Sequence, residues 1–587
     1  MRDMKPSEME KGQRRGKGVF TPPGARENLG FSKVWEMVSP RSAMGRRVKV
    51  RTRPFMPGME AELEAEFDCL EMILSLWDTY PDSFFEITGI LENAKDPFSA
   101  ISLLRENRTL PPQEMFLIAH LCFTVNRLRQ AMMVEQGGEG GQGIKWPQKV
   151  IPPQLKDLES HVLPGSKGQP TFYVSDAYSE DLAAVRKERR EKEKALREEM
   201  SEEAEKVEKV LGKRPGLKEE IALRNTEYEL VEKARLMPEL AETRETLTHV
   251  HFRLKPTQDA IRLEREISKL KRKERQLEEQ VLQDLSLKVR QYLPEIQEAV
   301  RAIGDLDFLI AKGEVARSMG AVRPQIVGPC FSENGQGGRP QLPLVLEDAF
   351  HPEVKEEVEA RGGTYQPISI EIDSTVSVIT GPNMGGKTVA LQTIGLCVAM
   401  VQWGLMAPCK GITMGLYDFI HFQSQEEEVP GLSSFAAEMV NLKEPLSRMD
   451  ERGLILLDEI GRGTNPAQGL ALYAAILQYY LENDVTCSHL IATTHYHGLA
   501  DMLGVPHWQV KGVRPDSEKM KEAQINGENG LDWLYRHMDY ALQKVGPDTP
   551  TPHDALLIAR VLGINREIIE KAEGFLRGDE PDGEVKL

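Results

Sequence analysis

Residues 379–396 read ITGPNMGGKTVALQTIGL. Within them Gly381, Pro382, Asn383, Met384, Gly385, Gly386, Lys387 and Thr388 satisfy the spacing GxxxxGK[ST]. The apolar run VSVIT precedes the motif and TVALQTIGLCVAM follows it. The motif therefore joins a predicted strand to a predicted helix, the context that it requires. Its glycines let backbone N–H groups turn inward around a phosphate, and the helix N-terminus adds positive potential behind them. Lys387 is placed to reach the β- and γ-phosphates of a nucleotide, and Thr388 to offer a hydroxyl to Mg²⁺.

Two downstream stretches supply the rest of such a site. RGLILLDEIGRGTN, residues 452–465, is an apolar run ending in Asp458 and Glu459. A buried strand that delivers two carboxylates at its C-terminal edge matches a Walker B element. Asp458 is then expected to hold Mg²⁺ and Glu459 to activate the attacking water. HLIATTHYHGLAD, residues 489–501, is a further apolar run ending in Thr493, Thr494 and His495. A histidine there can hydrogen-bond a γ-phosphate or the attacking water.

Around this centre the 587 residues are too many for one core and imply several domains, roughly three to five. No apolar run approaches the ~18 residues of a membrane span. The N-terminus, MRDMKPSEMEKGQRRGKG, has no apolar core of a secretory signal, and residues 1–27 are expected to form a short disordered arm. The six cysteines fall in no CxxC or CxxH spacing, which disfavours structural zinc and disulfides and fits a reducing, cytoplasmic setting. A net charge of −17 argues against indiscriminate coating of nucleic acid, although local basic patches remain open.

The fold class expected is multidomain α plus α/β. Residues 28–184 read as helical, with Leu63, Phe67, Leu70, Ile73 and Leu74 at three- and four-residue spacings. A glycine-rich loop interrupts them at 135–143. Residues 185–280 hold two long, very polar helical stretches separated by a short middle section, expected to form an antiparallel coiled-coil arm. Helices return over 281–325. Strands and helices then alternate over 326–545, the pattern of a mostly parallel sheet. Residues 546–587 read as two short helices packed on that sheet domain.

TGPNMGGKT, DEIGRGT and ATTHY together resemble the MutS family, an ABC-type branch of the P-loop ATPases. AFHPEV, GLSSFAAEM, LDFLIAKGEVA and ALLIARVLGINREIIEKA resemble further family segments. The likeness is dense over about residues 306–576 and looser from about residue 28. The resemblance implies an ATPase with ATP and Mg²⁺ as cofactors, and Asn383 near the γ-phosphate. It also implies Ser433 reaching the nucleotide of a second subunit and His495 as a switch. The sites are then composite and the chain a homodimer, with 546–587 as the dimerisation segment and the levers and arm closing as a clamp around DNA in repair or recombination control.

Two departures refine this. Only about thirty residues precede the lever-like region, and SFFEIT near Phe85 contains no Phe-x-Glu mismatch reader. The details GGKTV, NPAQGLALYAAIL and FYVSDAYS lean towards the second bacterial branch of the family, whose members typically carry a C-terminal Smr nuclease domain; none is expected before Leu587. DNA contacts are expected from two basic clusters near the distal half of the arm: Arg186, Lys187, Arg189 and Arg190, and Lys269, Lys271, Arg272 and Lys273. The same charge pattern also suits a solvated helix pair without a binding role. The cargo expected is double-stranded or branched DNA, with the ribosome as the alternative and no membrane partner.

Overall fold

The computed structural model describes residues 19–133, 145–163, 171–216, 219–329, 342–382, 386–424, 434–461, 464–483, 487–496, 498–513, 538–546, 549, 554–561 and 563–577. The glycine-rich interval at 135–143 lies outside them. So do residues 1–18 of the expected N-terminal arm.

A six-stranded sheet positions the site. Its strands, numbered in chain order after three in the arm and three in a side sheet, are β7 Val376–Thr380, β9 Phe419–Gln423, β10 Gly453–Asp458, β11 His489–Thr494, β12 His507–Val513 and β13 Met538–Lys544. The order is β13-β12-β7-β11-β10-β9, with every neighbouring pair parallel except β12–β13. The sheet is therefore mostly parallel, as the alternating pattern predicts. Every residue of β7, β10 and β11 is buried, which is why these strands read as unbroken apolar runs rather than alternating ones. Chain order reverses around β7. Such a switch point opens a crevice at the carboxyl ends of the strands, where α/β sheets bind ligands.

One core joins this sheet to the helices before it. Phe67 and Leu70 of helix Glu60–Thr79 and Leu306 and Leu309 of helix Leu293–Met319 share a continuous hydrophobic cluster with Ile394, Leu396 and Leu456. The expected division at 325/326 therefore falls within a shared interior. The opposite sheet face packs on helix Pro466–Asn483 through Tyr473, Leu477 and Tyr480. A mixed side sheet, β4 Gln325–Ile326, β8 Gly411–Met414, β5 Leu344–Ala349 and β6 Ile368–Ile372, flanks this body.

The N-terminal segment is ordered earlier than the sequence implies. Phe20 is buried, its carbonyl accepts from Ile420 N at 2.7 Å, and helix Pro23–Asn28 follows. Residues 19–27 of the expected disordered arm are thus held by the edge strand β9 and by burial of Phe20 and Ala25.

The arm consists of helix Glu180–Leu211 going out and helix Gln258–Gln291 returning, packed against each other. Ser179 and Thr257 cap their N-termini, and Gly212 ends the first with φ 65°. The expected arm limits at 185 and 280 fall inside these helices. The middle section is larger than a connection. It folds as β1 Glu220–Arg224, β2 Leu240–Glu245 and β3 His249–Leu254 in the antiparallel order β1-β3-β2, with helix Tyr228–Leu236. Leu223, Phe252 and Val207 centre its own small core. In the tail, helices Asp554–Val561 and Arg566–Arg577 pack on each other.

Candidate active site

The three motifs meet at the C-terminal edge of the sheet. Strand β11 lies between β7 and β10, pairing Thr494 with Thr380 and Thr493 with Asp458. The phosphate loop follows β7, the acidic pair ends β10, and His495 follows β11. Thr388, near the start of helix Lys387–Gln402, donates its hydroxyl to Asp458 Oδ2 at 2.7 Å. Asp458 Oδ1 accepts from Thr493 Oγ1 at 2.6 Å. The same Thr493 oxygen accepts from Glu459 N at 3.1 Å, so one hydroxyl fixes both acidic residues.

Lys387 is buried and lies 2.8 Å from Glu459 Oε1. It also donates to the carbonyls of Gly381 at 2.7 Å and Pro382 at 3.0 Å. Glu459 adopts φ 54°, a left-handed conformation that costs a non-glycine residue about 1–3 kcal/mol. That turn directs the carboxylate off the strand axis towards Lys387. Gly386, with φ 84°, permits the approach of Tyr540 from β13: a Cβ there would come within 2.5 Å of the tyrosine ring.

Thr388 and Asp458 fit Mg²⁺: a hydroxyl and a carboxylate are hard oxygen donors, and their oxygens stand 2.7 Å apart. His495 is exposed, its ring 4.3 Å from that of Tyr496. Asn383, Met384, Gly385 and Ser433 lie outside the described residues.

Residues that the sequence left without a role support this centre. Thr493 was legible only as the end of a strand. Glu438 accepts from Gly461 N at 2.8 Å and so ties helix Ser434–Ser447 to the acidic turn. Tyr473 donates to the Thr493 carbonyl at 3.2 Å. Burial, with Asp458, Glu459 and Glu438 nearby, holds the Tyr473 hydroxyl protonated far above its ordinary range. Both lie in segments quoted above for the resemblance, but their partners, Gly461 after β10 and Thr493 on β11, are not readable from any local spacing.

Comparison with known proteins now bears on this geometry. Residues 377–535 match the model of MutS domain V. The chain is 31% identical over 327 residues to Endonuclease MutS2 of Carboxydothermus hydrogenoformans, covering 55% of this chain and 37% of that protein. It is 33% identical over 313 residues to Endonuclease MutS2 of Lactiplantibacillus plantarum, covering 53% and 35%. Over these residues the chain is thus similar to the MutS family, and to proteins of its MutS2 branch. The match spans little more than a third of the length of these MutS2 relatives.

The arm residues are distributed differently from the expectation. Arg186 contacts Asp176 at 2.8 Å, Glu274 at 3.0 Å and Glu278 at 2.6 Å. Arg189 contacts Glu193 at 3.0 Å and Glu274 at 2.8 Å. Arg190 pairs with Asp176 at 3.2 Å and Lys271 with Glu193 at 3.6 Å. Lys187, Lys269, Arg272 and Lys273 are exposed and, among the described residues, form no ion pair. The second cluster lies near the arm's middle, where Lys271 meets Glu193, and the first sits on the body-side half of the arm rather than its distal half. Arg186 meets Glu274 and Glu278 there, whereas Thr257 and Glu199, in contact at 2.8 Å, mark the end near the head.

Among the described residues no helix is long and apolar enough to cross a membrane.

Proposed function

We propose that this chain is an ATP-hydrolysing clamp of the MutS type, in which the nucleotide state at the sheet edge sets the grip of the levers and arm on DNA. The observation that carries it is the pairing of Thr388 with Asp458 at 2.7 Å beside that of Lys387 with Glu459 at 2.8 Å, two adjacent contacts at one sheet edge. A triphosphate offers Lys387 a stronger partner than the carbonyls of Gly381 and Pro382. Turning to it releases Glu459, whose carboxylate then takes the proton of the attacking water. Bound Mg²⁺ supplies charge neutralisation at the phosphates, with Thr388 and Asp458 as the residues that would hold it. His495, which follows β11, would sense the γ-phosphate, while Asn383 and, from a second copy, Ser433 would complete a composite site in a homodimer.

Two observations support coupling to DNA. The sheet and the lever helices share one core, so a shift at the sheet edge meets packed side chains all the way to helix Leu293–Met319. The exposed Lys187, Lys269, Arg272 and Lys273 offer an arm surface for phosphates on an otherwise acidic chain. The MutS2 relatives are named endonucleases, an activity on nucleic acid.

The test is ATPase activity measured alone and with linear, mismatched and branched DNA, and with ribosomes. Stimulation by duplex or junction DNA is expected, with Glu459→Gln holding DNA in an ATP-dependent way. Stimulation by ribosomes alone, or DNA binding indifferent to nucleotide, overturns the reading.

A further inference from the structure

A cavity of about 690 Å³ lies away from the nucleotide site, between helix Ala43–Arg51, helix Phe98–Arg105 and helix Leu293–Met319. Its volume is that of an ordinary small-ligand pocket. Four arginines line it, Arg47, Arg51, Arg105 and Arg301, against one carboxylate, Asp96. In a chain of net charge −17 this is a sharp local inversion of sign.

Two of the four have protein partners. Arg47 stacks over the Phe98 ring, 3.5 Å from its centroid, and stands 3.8 Å from Asp96. Gln297, with its amide turned to the orientation that satisfies both atoms, accepts from Arg105 Nε and Nη2 at 3.2 Å each. Arg51 and Arg301, both exposed at the rim of the cavity, make no ion pair within 4.0 Å and no side-chain hydrogen bond among the described residues, Asp305 being a near neighbour of Arg301. Arg47 and Arg51 are four apart on one helix, a like-charge arrangement that destabilises it slightly. Converging like charges cost less when an anion sits among them, and guanidinium forks match phosphate oxygens in pairs. Met44, Ile101 and Val300 provide an apolar wall beside them.

We infer that this cavity binds a phosphate-bearing ligand, the arginines taking the phosphate oxygens and the apolar wall the remainder. The inference is independent of the proposed ATPase cycle. The same phosphate chemistry is offered by a free nucleotide and by a nucleic-acid backbone, so the experiment has an arm for each.

The 587-residue Lys387→Ala chain, in which the phosphate loop has lost its lysine, is titrated calorimetrically with ADP and, separately, with a 12-base-pair duplex. Arg51→Ala and Arg301→Ala are then added together. A rise in Kd of tenfold or more for ADP alone assigns the cavity to a free nucleotide. The same rise for the duplex alone, with a shallower salt dependence, assigns it to backbone phosphates. Unchanged affinity for both overturns the site. Asp96→Asn gives the opposite sign: it removes the one opposing charge yet keeps an oxygen for Phe98 N, now accepted at 3.0 Å. It is expected to tighten binding several-fold, which structural damage does not do. Unchanged affinity in that variant also overturns the proposal, and it decides the matter should the double arginine variant fail to fold.

Discussion

Lys387 at the sheet edge and Lys312 on helix Leu293–Met319 are both buried, and each stands close to a glutamate: Glu459 at 2.8 Å and Glu66 at 2.9 Å. Their surroundings differ. Lys387 has, as further partners, two carbonyls of its own loop, which a phosphate can replace. Lys312 lies over Phe308, 4.5 Å from the ring centroid, and its Nζ stands 3.0 Å from where a Cβ on Gly404 would be. The other oxygen of Glu66 is taken by Lys149. A buried pair can switch when its cation faces replaceable acceptors at an open edge. It is structural when protein closes both ends.

Breaking each pair separates these roles. Glu459→Gln keeps the shape and removes the base, so kcat for ATP hydrolysis is expected to fall about 10²–10⁴-fold with nucleotide affinity retained. Steady-state ATPase beside equilibrium nucleotide binding measures this. A variant with normal turnover removes Glu459 from the chemistry. Glu66→Gln should instead leave the turnover of folded molecules unchanged and cost about 3–5 kcal/mol of stability in denaturant titration, because a buried ammonium loses its counter-charge. Glu66→Leu combined with Lys312→Met should recover most of that loss, since apolar replacement of a whole buried pair is often neutral.

The pH dependence sharpens the contrast. Burial pushes the Glu66 carboxyl up, but Lys312 and Lys149 outweigh it and hold it at about 2. A depressed carboxylate stabilises the fold above its ordinary value, near 4.3, and that contribution is lost as pH falls towards 2. Asp305, pushed up to about 6 by burial, works in the opposite sense between its ordinary value, near 3.9, and 6. The Glu66 loss is therefore expected below about pH 4, in the melting temperature, and should vanish in Glu66→Gln.

The arm gives smaller effects. Arg186→Ala leaves Asp176, Glu274 and Glu278 without their shared cation and should cost about 1–3 kcal/mol with no change in ATPase. Lys187→Ala with Arg272→Ala should change stability by no more than about 0.5 kcal/mol. Duplex affinity in that variant should weaken a few-fold, with a salt slope reduced by about one per lysine or arginine lost. Equal DNA defects in the Arg186 and Lys187 variants would erase the distinction between pairing and binding cations.

The candidate site was legible because its parts are local. GPNMGGKT sets the turn and the helix start within eight residues, and apolar runs ending in DE and TTH place their polar ends at one sheet edge once the strands are parallel. The arm was legible as two polar helices, but not the folded head between them, because β1, β2 and β3 are short and bury only a small core. The basic clusters were legible as charge and not as orientation. Arg186 and Arg189 face the returning helix, and that follows from the register of two helices rather than from either alone.

The sequence alone therefore determined what backbone geometry imposes over a few residues: a glycine-rich turn into a helix, a carboxylate pair and the strands that carry them. Only the tertiary structure decided which charges meet. Lys312 and Glu66 are 246 positions apart, and the arginines of the cavity come from three separate helices. Electrostatic partnership depends on distance through space, and no spacing along the chain encodes it.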